Sequence, residues 1–295
     1  MSTPTPQNIP PRLPAPEQPA PQQSAPQAAS SAPKAVAIVT AVVGGLALLG
    51  TAAGIGVSAI VGGSASDDVQ TADVSGVTAL EIDSTASSFS IVYGDVDDAV
   101  LEVADSQGGW RLARDEDELR VERRDFGGWW LGGDWFDGDV FESDETVVLT
   151  LPERLRDAGL DADLRLSSGS LSADGVFGEV DVEVAAGFLS LQGAARAVDV
   201  DLSAGRAEVA LADVREADLR VAAGRLDAEL TGEAPSEVSV EVSAGHLDLV
   251  LPAASYAVES EVTAGTFDNG LEESSSSPRE VSVAVTAGEA RLRSE

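Results

Sequence analysis

Apolar and polar residues alternate in a short pattern that recurs seven times in the second half of the chain. Each copy reads apolar, polar, apolar, two small residues, glycine, any residue, apolar, polar, apolar, as in Leu164–Leu171 and Val182–Leu189. The central glycines are Gly169, Gly187, Gly205, Gly224, Gly245, Gly265 and Gly288, at spacings of 18, 18, 19, 21, 20 and 23 residues. Alternation with period 2 predicts β-strands, and a fixed repeat distance predicts stacked units.

Two positions of the repeat are apolar in every copy, so we expect them to face a common core. Three residues before the glycines stand Leu166, Val184, Leu202, Val221, Val242, Val262 and Val285. Two residues after them stand Leu171, Leu189, Ala207, Leu226, Leu247, Phe267 and Ala290. The residues between are charged or polar, for example Glu183, Asp201 and Arg220, and should point outward.

These repeats predict an all-β fold, a single-stack β-solenoid over residues 161–295. One unit of about 20 residues forms two or three short strands and cannot bury its own apolar face, whereas stacked units can. The small-small-glycine unit marks a bend where neighbouring coils come close. Roughly eight coils would give a rod on the order of 40 Å long. Stacking in chain order places Arg291, Arg293 and Glu295 on the last coil, which argues against end-to-end polymerisation.

Residues 77–160 predict a divergent N-terminal β cap that carries an aromatic loop. Strands are expected at 77–82 and 90–92, and 99–103 and 118–122 form a predicted hairpin across 105–117. One turn is expected between 151 and 160.

A long uncharged segment precedes this domain and predicts one transmembrane helix over residues 34–63. Its apolar run starts after Lys34, Arg12 lies further towards the N-terminus, and Asp67 and Asp68 follow it. The positive-inside rule then places the N-terminus in the cytoplasm and the C-terminal domain outside the cell membrane. Small residues recur every four positions on this segment, at Gly50, Gly54, Ser58 and Gly62. That spacing predicts a helix-packing face and possible homo-oligomers.

The remaining N-terminal residues predict a disordered tail and a linker. Residues 1–33 hold ten of the 14 prolines and form a Pro-rich cytoplasmic tail, either a flexible spacer or a ligand for a proline-binding module. Residues 64–76 form the linker between the helix and the β domain.

The composition argues against several kinds of binding and catalytic site. A net charge of −33 argues against binding nucleic acid. The absence of cysteine excludes a thiol nucleophile and a zinc-thiolate site, and a single histidine, His246, argues against a catalytic triad. His246 occupies a position that accepts any residue, so it is expected to point outward. No catalytic residue, metal ligand or cofactor site is predicted, and the chain is not expected to be an enzyme.

A family resemblance follows from the Leu-x-Leu-Pro segments at Leu149–Pro152 and Leu249–Pro252 and from the repeated Val-x-Ala-Gly-x-Leu-x-Leu units. Over residues 75–295 the sequence resembles the bacterial putative-adhesin β-strand-repeat domain family, a domain of unknown function. Its actinobacterial membrane-anchored members carry a proline-rich tail and a membrane helix before the domain. The resemblance implies a right-handed β-solenoid without established catalytic residues.

An aromatic segment interrupts the β cap and is the candidate interaction loop. It contains Phe126, Trp129, Trp130, Trp135 and Phe136 among glycine pairs. Exposed tryptophan is costly and is enriched where proteins bind partners or meet membranes. The loop therefore docks a partner protein or a glycan, rests on the outer leaflet, or folds back as a cap over the unpaired edges of the solenoid.

Two acidic groups are weaker candidates. Residues 134–144 carry five acids whose spacing fits no known calcium-binding loop, so they are interpreted as solvated. Asp227, Asp248 and Asp268 occupy one outward position but lack the cleft and basic partners of a carbohydrate-cleaving site.

The sequence thus predicts a membrane-anchored extracytoplasmic β-solenoid that mediates non-catalytic, adhesin-like interaction in the cell envelope. The expected partner is an unknown envelope component or membrane protein. The alternative function is an envelope-stress sensor or signalling regulator that couples the solenoid to the cytoplasmic tail.

Overall fold

The computed structural model of this protein describes residues 68–105, 109–123 and 145–295. They belong to a compact unit, Gly54–Glu295, and a second unit, Met1–Ala53, lies outside them. The predicted tail (1–33) and the predicted membrane helix (34–63) therefore lie outside the described residues. Within the described ranges, no helix has the length and apolarity needed to cross a membrane.

The described residues are all-β. The first eight strands are β1 (Asp68–Ala72), β2 (Ala79–Ser84), β3 (Ser87–Gly94), β4 (Ala99–Ala104), β5 (Trp110–Asp115), β6 (Glu118–Arg123), β7 (Thr146–Pro152) and β8 (Leu160–Leu166). A 3-10 turn, Glu153–Leu155, follows β7, in agreement with the turn predicted there.

Twelve further strands cover the repeats. They are β9 (Gly169–Val184), β10 (Phe188–Leu202), β11 (Arg206–Ala212), β12 (Glu216–Val221), β13 (Arg225–Thr231), β14 (Glu237–Val242), β15 (His246–Leu251), β16 (Ser255–Val262), β17 (Thr266–Gly270), β18 (Glu272–Glu273), β19 (Glu280–Val285) and β20 (Glu289–Ser294). Alternating burial along them, as in Glu237–Val242, reflects the period-2 pattern of the sequence.

The strands are organised in layers, each consisting of one strand segment before a corner and one strand segment after it. Parallel pairing joins equivalent strands of neighbouring layers. In spatial order the layers are β6 with β7, β2 with β3, β8 with the first half of β9, the second half of β9 with the first half of β10, the second half of β10 with β11, β12 with β13, β14 with β15, β19 with β20, and β16 with β17.

Glycine is required at the corners because consecutive layers come into backbone contact there. Gly187 has φ +121, and a Cβ on it would lie 2.3 Å from the carbonyl oxygen of Gly169 in the preceding layer. Gly205 repeats this arrangement over Gly187, at φ +100 and 2.2 Å. A side chain at either position would meet fixed backbone, so the predicted close approach of the corners is confirmed.

The fourteen predicted core positions separate into two groups. Twelve of them are 1% exposed or less, which confirms that the repeats share one apolar core. The other two are Val262, which is 43% exposed, and Phe267, which is only partly buried. Both belong to the layer formed by β16 and β17.

Layers follow chain order from β2 with β3 through β8 to β15, except that β6 and β7 form the layer outside β2 and β3. The next layer in space is β19 with β20, and β16 with β17 lies beyond it. The chain thus forms the outermost layer, β16 with β17, before it forms the layer beneath, β19 with β20. The expectation that Arg291, Arg293 and Glu295 mark the last coil is wrong, because their layer has neighbours on both sides.

Strand pairing also corrects three expectations about the N-terminal part. The hairpin consists of β5 and β6, whereas β4 pairs in antiparallel fashion with β7 and β1. Residues 79–94, assigned to a divergent cap, form a regular layer between β6–β7 and β8–β9. Strand β1 begins at Asp68, inside the stretch 64–76 that was expected to be a linker.

Candidate functional site

The predicted aromatic loop lies outside the described residues, but its two ends are described. Phe126, Trp129, Trp130, Trp135 and Phe136 all fall between the end of β6 at Arg123 and the start of β7 at Thr146. In the repeats, the equivalent corner is short, for example residues 185–187 between β9 and β10. The aromatic segment is therefore a long insertion at one corner of the first layer.

A buried ion pair joins the two ends of this insertion. Arg123 Nη1 lies 2.6 Å from Glu145 Oε2, and the Glu145 side chain is only 1% exposed. The same guanidinium nitrogen donates to the carbonyl oxygen of Thr85 at 3.3 Å, at the corner of the next layer. The backbone N–H of Ser88 donates to the carbonyl oxygen of Glu145 at 2.9 Å. These contacts fix where the insertion leaves and re-enters the stack.

Antiparallel strands cover the edges of this first layer. Strand β5 pairs with β6, β4 pairs with β7, and β1 pairs with β4 on the side away from β7. The Gln70 side chain on β1 connects the two sides, because it donates to the Trp110 carbonyl oxygen at 2.8 Å and accepts from the Leu112 N–H at 2.9 Å. Trp110 is 4% exposed and packs against Phe89, with ring centroids 5.8 Å apart. The described residues therefore contain a cap of their own at this end.

The strands that precede the corners carry a line of carboxylates that the sequence analysis missed. Parallel register brings five acids side by side on adjacent strands: Glu81, Asp163, Asp181, Asp199 and Asp218. We call these five residues the acidic column. The signal was available in the sequence, because the four aspartates each stand six residues before a corner glycine. The next layers carry Ser239 and Ser282 at the same position.

Arginines neutralise only part of the acidic column. Arg165 reaches Glu81 at 3.0 Å and Asp163 at 2.6 Å, and Arg220 reaches Asp199 at 3.0 Å and also pairs with Asp218. In the described part of the chain, no arginine lies within ion-pair distance of Asp181.

The pKa values of three acids in the column are raised by burial and by neighbouring carboxylates. Burial raises the pKa of Asp181, and the neighbouring carboxylates of Glu179, Asp199 and Asp163 raise it further. Burial is also the main cause of the raised pKa of Asp218, to which Asp199 adds. The pKa of Glu81 is raised by burial and by Glu118. Lateral carboxylate repulsion is therefore a real cost of this surface.

The surface after the corners carries a charged cluster around Asp248. Its side chain is 9% exposed and lies 2.9 Å from Arg225 and 3.0 Å from His246 Nε2. His246 Nδ1 also lies 3.3 Å from Glu289. His246 thus lies in the outward register, as expected, but it is only 24% exposed because its ring bridges carboxylates of two layers. Asp227, Asp248 and Asp268 share one outward column, as expected, with Arg291 between the last two.

The acidic surfaces carry open grooves. Shallow grooves of about 260 and 310 Å³ lie over Glu81–Asp163–Asp181 and over Glu208–Asp227–Asp248, and both are open to solvent. Within residues 68–105, 109–123 and 145–295, no group of three or more acids and histidine is arranged to hold a metal ion. The segment 134–144 and the predicted helix-packing residues Gly50, Gly54, Ser58 and Gly62 lie outside these ranges.

Comparison with known proteins gives only distant similarity. No protein-family model matches the sequence, and no characterised protein matches it as a relative. Among solved structures, a putative adhesin from Bacteroides fragilis is 13% identical, with a TM-score of 0.41, over 77% of this chain and 96% of that one. A putative cell adhesion protein from Clostridium sporogenes is 10% identical, with a TM-score of 0.34, over 78% and 100%.

A third structure, a putative lipid binding protein from Parabacteroides distasonis, is 10% identical, with a TM-score of 0.36, over 77% of this chain and 96% of that one. Structural similarity at this level does not define a shared fold or a shared function. The architecture described above therefore follows from the strand pairing of this chain itself.

Proposed function

We propose that this protein is a membrane-anchored, extracytoplasmic β-solenoid that mediates non-catalytic, adhesin-like interaction in the bacterial cell envelope. The in-register parallel layers support the solenoid form, and the motifs at 149–152 and 249–252 support membership of the adhesin-like β-strand-repeat family with its right-handed coil. The segment 35–63, which contains no charged residue, supports the membrane anchor, with the N-terminus in the cytoplasm. Broad charged faces and shallow grooves favour recognition of a large partner over chemistry on a small molecule.

One observation carries the interaction role. The corner between β6 and β7 is lengthened by a segment that contains three tryptophans, and a buried ion pair, Arg123 with Glu145, holds its two ends. Strands β1, β4 and β5 already cover the edges of this layer, so the described cap does not require the aromatic residues. Tryptophan concentrated on a segment of that kind is typical of binding surfaces. We assign partner binding to Phe126, Trp129, Trp130, Trp135 and Phe136.

Binding is tested with the full chain in lipid nanodiscs, mixed with sedimentable fragments of the host envelope. The chain should co-sediment with one fraction, and the triple variant Trp129→Ala, Trp130→Ala, Trp135→Ala should lose this binding while keeping its β-sheet circular dichroism. The matched control is Val69→Ala with Phe188→Ala, which removes exposed apolar surface elsewhere. Equal binding by the wild type and the triple variant would refute the aromatic site.

Topology is tested by cysteine labelling, which the native chain permits because it has no cysteine. A Ser203→Cys variant places a thiol at an exposed corner, and Ser24→Cys places one in the tail. A membrane-impermeant maleimide should label the first in intact cells and the second only after lysis. The reverse pattern would refute the proposed orientation.

Self-association through the helix-packing face is tested separately. Close approach of two helices requires small side chains, so Gly50→Ile with Gly54→Ile should reduce chemical crosslinking of the full chain in membranes. Unchanged crosslinking would exclude this face. Crosslinking that depends on an envelope ligand would favour the signalling alternative, in which the solenoid senses its surroundings and the tail transmits the response.

A further inference from the structure

Among the described residues, the layer formed by β16 and β17 ends the stack with an unpaired edge. Strand β16 pairs with β19 on one side and β17 pairs with β20, and no described strand pairs with the other side of residues 257–262 or 266–270. Only Ser255 and Tyr256, at the start of β16, have a second partner, in β18. We call residues 257–262 of β16 the open edge.

Hydrogen-bonding groups of the open edge alternate between the two sides. The N–H groups of Ala257 and Thr263 donate to the layer of β19, at 2.8 and 2.9 Å. Because successive backbone groups in a strand face opposite sides, those of Val258, Ser260 and Val262 face away from β19. They form a row of donors and acceptors that an added strand can pair with.

The side chains of this layer offer apolar surface to an added strand. Val262 and Phe267 occupy positions that are buried in all the other repeats, yet Val262 is 43% exposed. The β16 segment contains no proline and no lysine, two residues that commonly protect edge strands. A further strand would bury Val262 as its equivalents Val242 and Val285 are buried.

Charge selects the sequence of that strand. Glu259 and Glu261 project outward from the open edge, opposite Ser282 and Ala284 of β19, and neither makes an ion pair within the described part of the chain. Elsewhere in the stack, arginines of one layer pair with acids of the next, as in Arg220 with Asp199 at 3.0 Å. An added strand with basic residues opposite Glu259 and Glu261 would repeat that arrangement.

A second copy of this chain is an unfavourable partner for the open edge. Antiparallel pairing of two open edges about Ser260 sets Val258 opposite Val262, but it also sets Glu259 opposite Glu261 twice. Like charges directly opposite each other destabilise a strand pair. The open edge therefore favours a different partner.

We propose that the open edge binds, by β-strand addition, an extended segment of another protein in which apolar and basic residues alternate. Backbone hydrogen bonds would supply affinity, and Glu259 and Glu261 would select the basic side chains. This site is separate from the aromatic segment and does not depend on the proposed envelope ligand.

The test uses the full chain in detergent and fluorescent peptides of alternating valine and arginine. Two control peptides have the same composition in scrambled order, or glutamate in place of arginine. Fluorescence anisotropy should show the alternating basic peptide binding about tenfold more tightly than the scrambled one. Equal affinity of the two would mean that only the net charge of −33 attracts the peptide, and would overturn the proposal.

Two variants locate the binding. Glu259→Arg with Glu261→Arg should transfer the preference to the glutamate peptide, whereas the matched reversal Asp181→Arg with Asp199→Arg, away from the open edge, should not. Ser260→Pro removes only the backbone N–H that faces away from β19, so it should abolish strand addition. Ser260→Ala keeps that N–H and should bind normally. Circular dichroism checks that each variant is folded. An unchanged preference in the charge-reversed variant, or dimerisation of the wild type through β16 in sedimentation, would refute the proposal.

Discussion

The two ends of the described stack are finished in different ways. At the first end, β5 and β4 pair in antiparallel fashion with β6 and β7, and Gln70 connects the two sides over the buried Trp110. At the other end, β16 and β17 leave one side unpaired and Val262 exposed. One end is closed by extra strands, and the other relies on the residues of its last layer.

Polar residues at positions that are apolar in the preceding layer take the place of a cap at the open end. Ser260 stands in the register of Val283, and Asn269 in that of Leu292, both of which are buried in the preceding layer. The Asn269 side chain accepts from the Leu271 N–H at 3.0 Å and donates to Glu273. Leu271 in turn is 8% exposed and belongs to the core. A stack can thus end by weakening the apolar character of its last layer, which keeps the edge soluble but available.

The largest expected difference between the ends concerns their aromatic residues. Trp110→Ala at the capped end should lower the free energy of unfolding by about 3–5 kcal/mol, because it leaves a cavity beside Phe89. Phe267→Ala at the open end should cost about 1 kcal/mol, because the ring is only partly buried. Urea unfolding of the full chain, followed by circular dichroism, measures both. Equal losses would mean that the terminal layer is covered in solution.

Equivalent valines provide a finer comparison. Val242 and Val262 occupy the same position of the repeat, in an internal layer and in the terminal layer. Val242→Thr should cost roughly 1–3 kcal/mol, because it buries a hydroxyl in an apolar core. Val262→Thr should change the free energy of unfolding by less than about 0.5 kcal/mol, because that side chain is exposed. Thermal melts of the two variants test this, and a large loss from Val262→Thr would contradict the open end.

The contrast between the ends also explains which predictions succeeded. Leu189 and Val221 could be placed in the core from the sequence because strand alternation and the glycine corners are local signals that each repeat carries by itself. The order of the last two layers could not be found that way, because β14 accepts β19 or β16 equally well by pattern. Pairing between distant segments decides it, as it decides that β4 joins β7 and not β6.

The prediction of functional sites was also limited by contacts between distant segments. The bridge from His246 to Asp248 and Glu289 depends on which residues become neighbours across layers. The aspartates of the acidic column, in contrast, share one offset from the corner glycines, and comparison of the repeats could have found them. The aromatic residues were noticed because their composition is local. Their placement at the β6–β7 corner required the pairing of both flanking strands.

The smallest expected effect concerns the acidic column, which occupies the layers nearer the capped end and gives way to Ser239 and Ser282 towards the open end. Asp181→Asn should raise the free energy of unfolding at neutral pH by roughly 0.2–1 kcal/mol, because it removes a carboxylate between two others. Ser239→Asp should lower it by a similar amount, because it extends the column by one acid. Urea unfolding of both variants beside the wild type measures these differences.

The pH dependence identifies the cause of that effect. Burial and neighbouring acids raise the pKa of Asp181 in the folded chain above its ordinary value of 3.8. The folded state therefore binds its proton more tightly than the unfolded state does, so the stabilisation from this proton is complete below about pH 3.8 and is lost as the pH rises through the folded pKa. The advantage of Asp181→Asn should accordingly be present at pH 7 and shrink as the solution is acidified through that range. An advantage that stays constant with pH would show that asparagine acts through packing or strand propensity, and lateral repulsion along the column would no longer account for it.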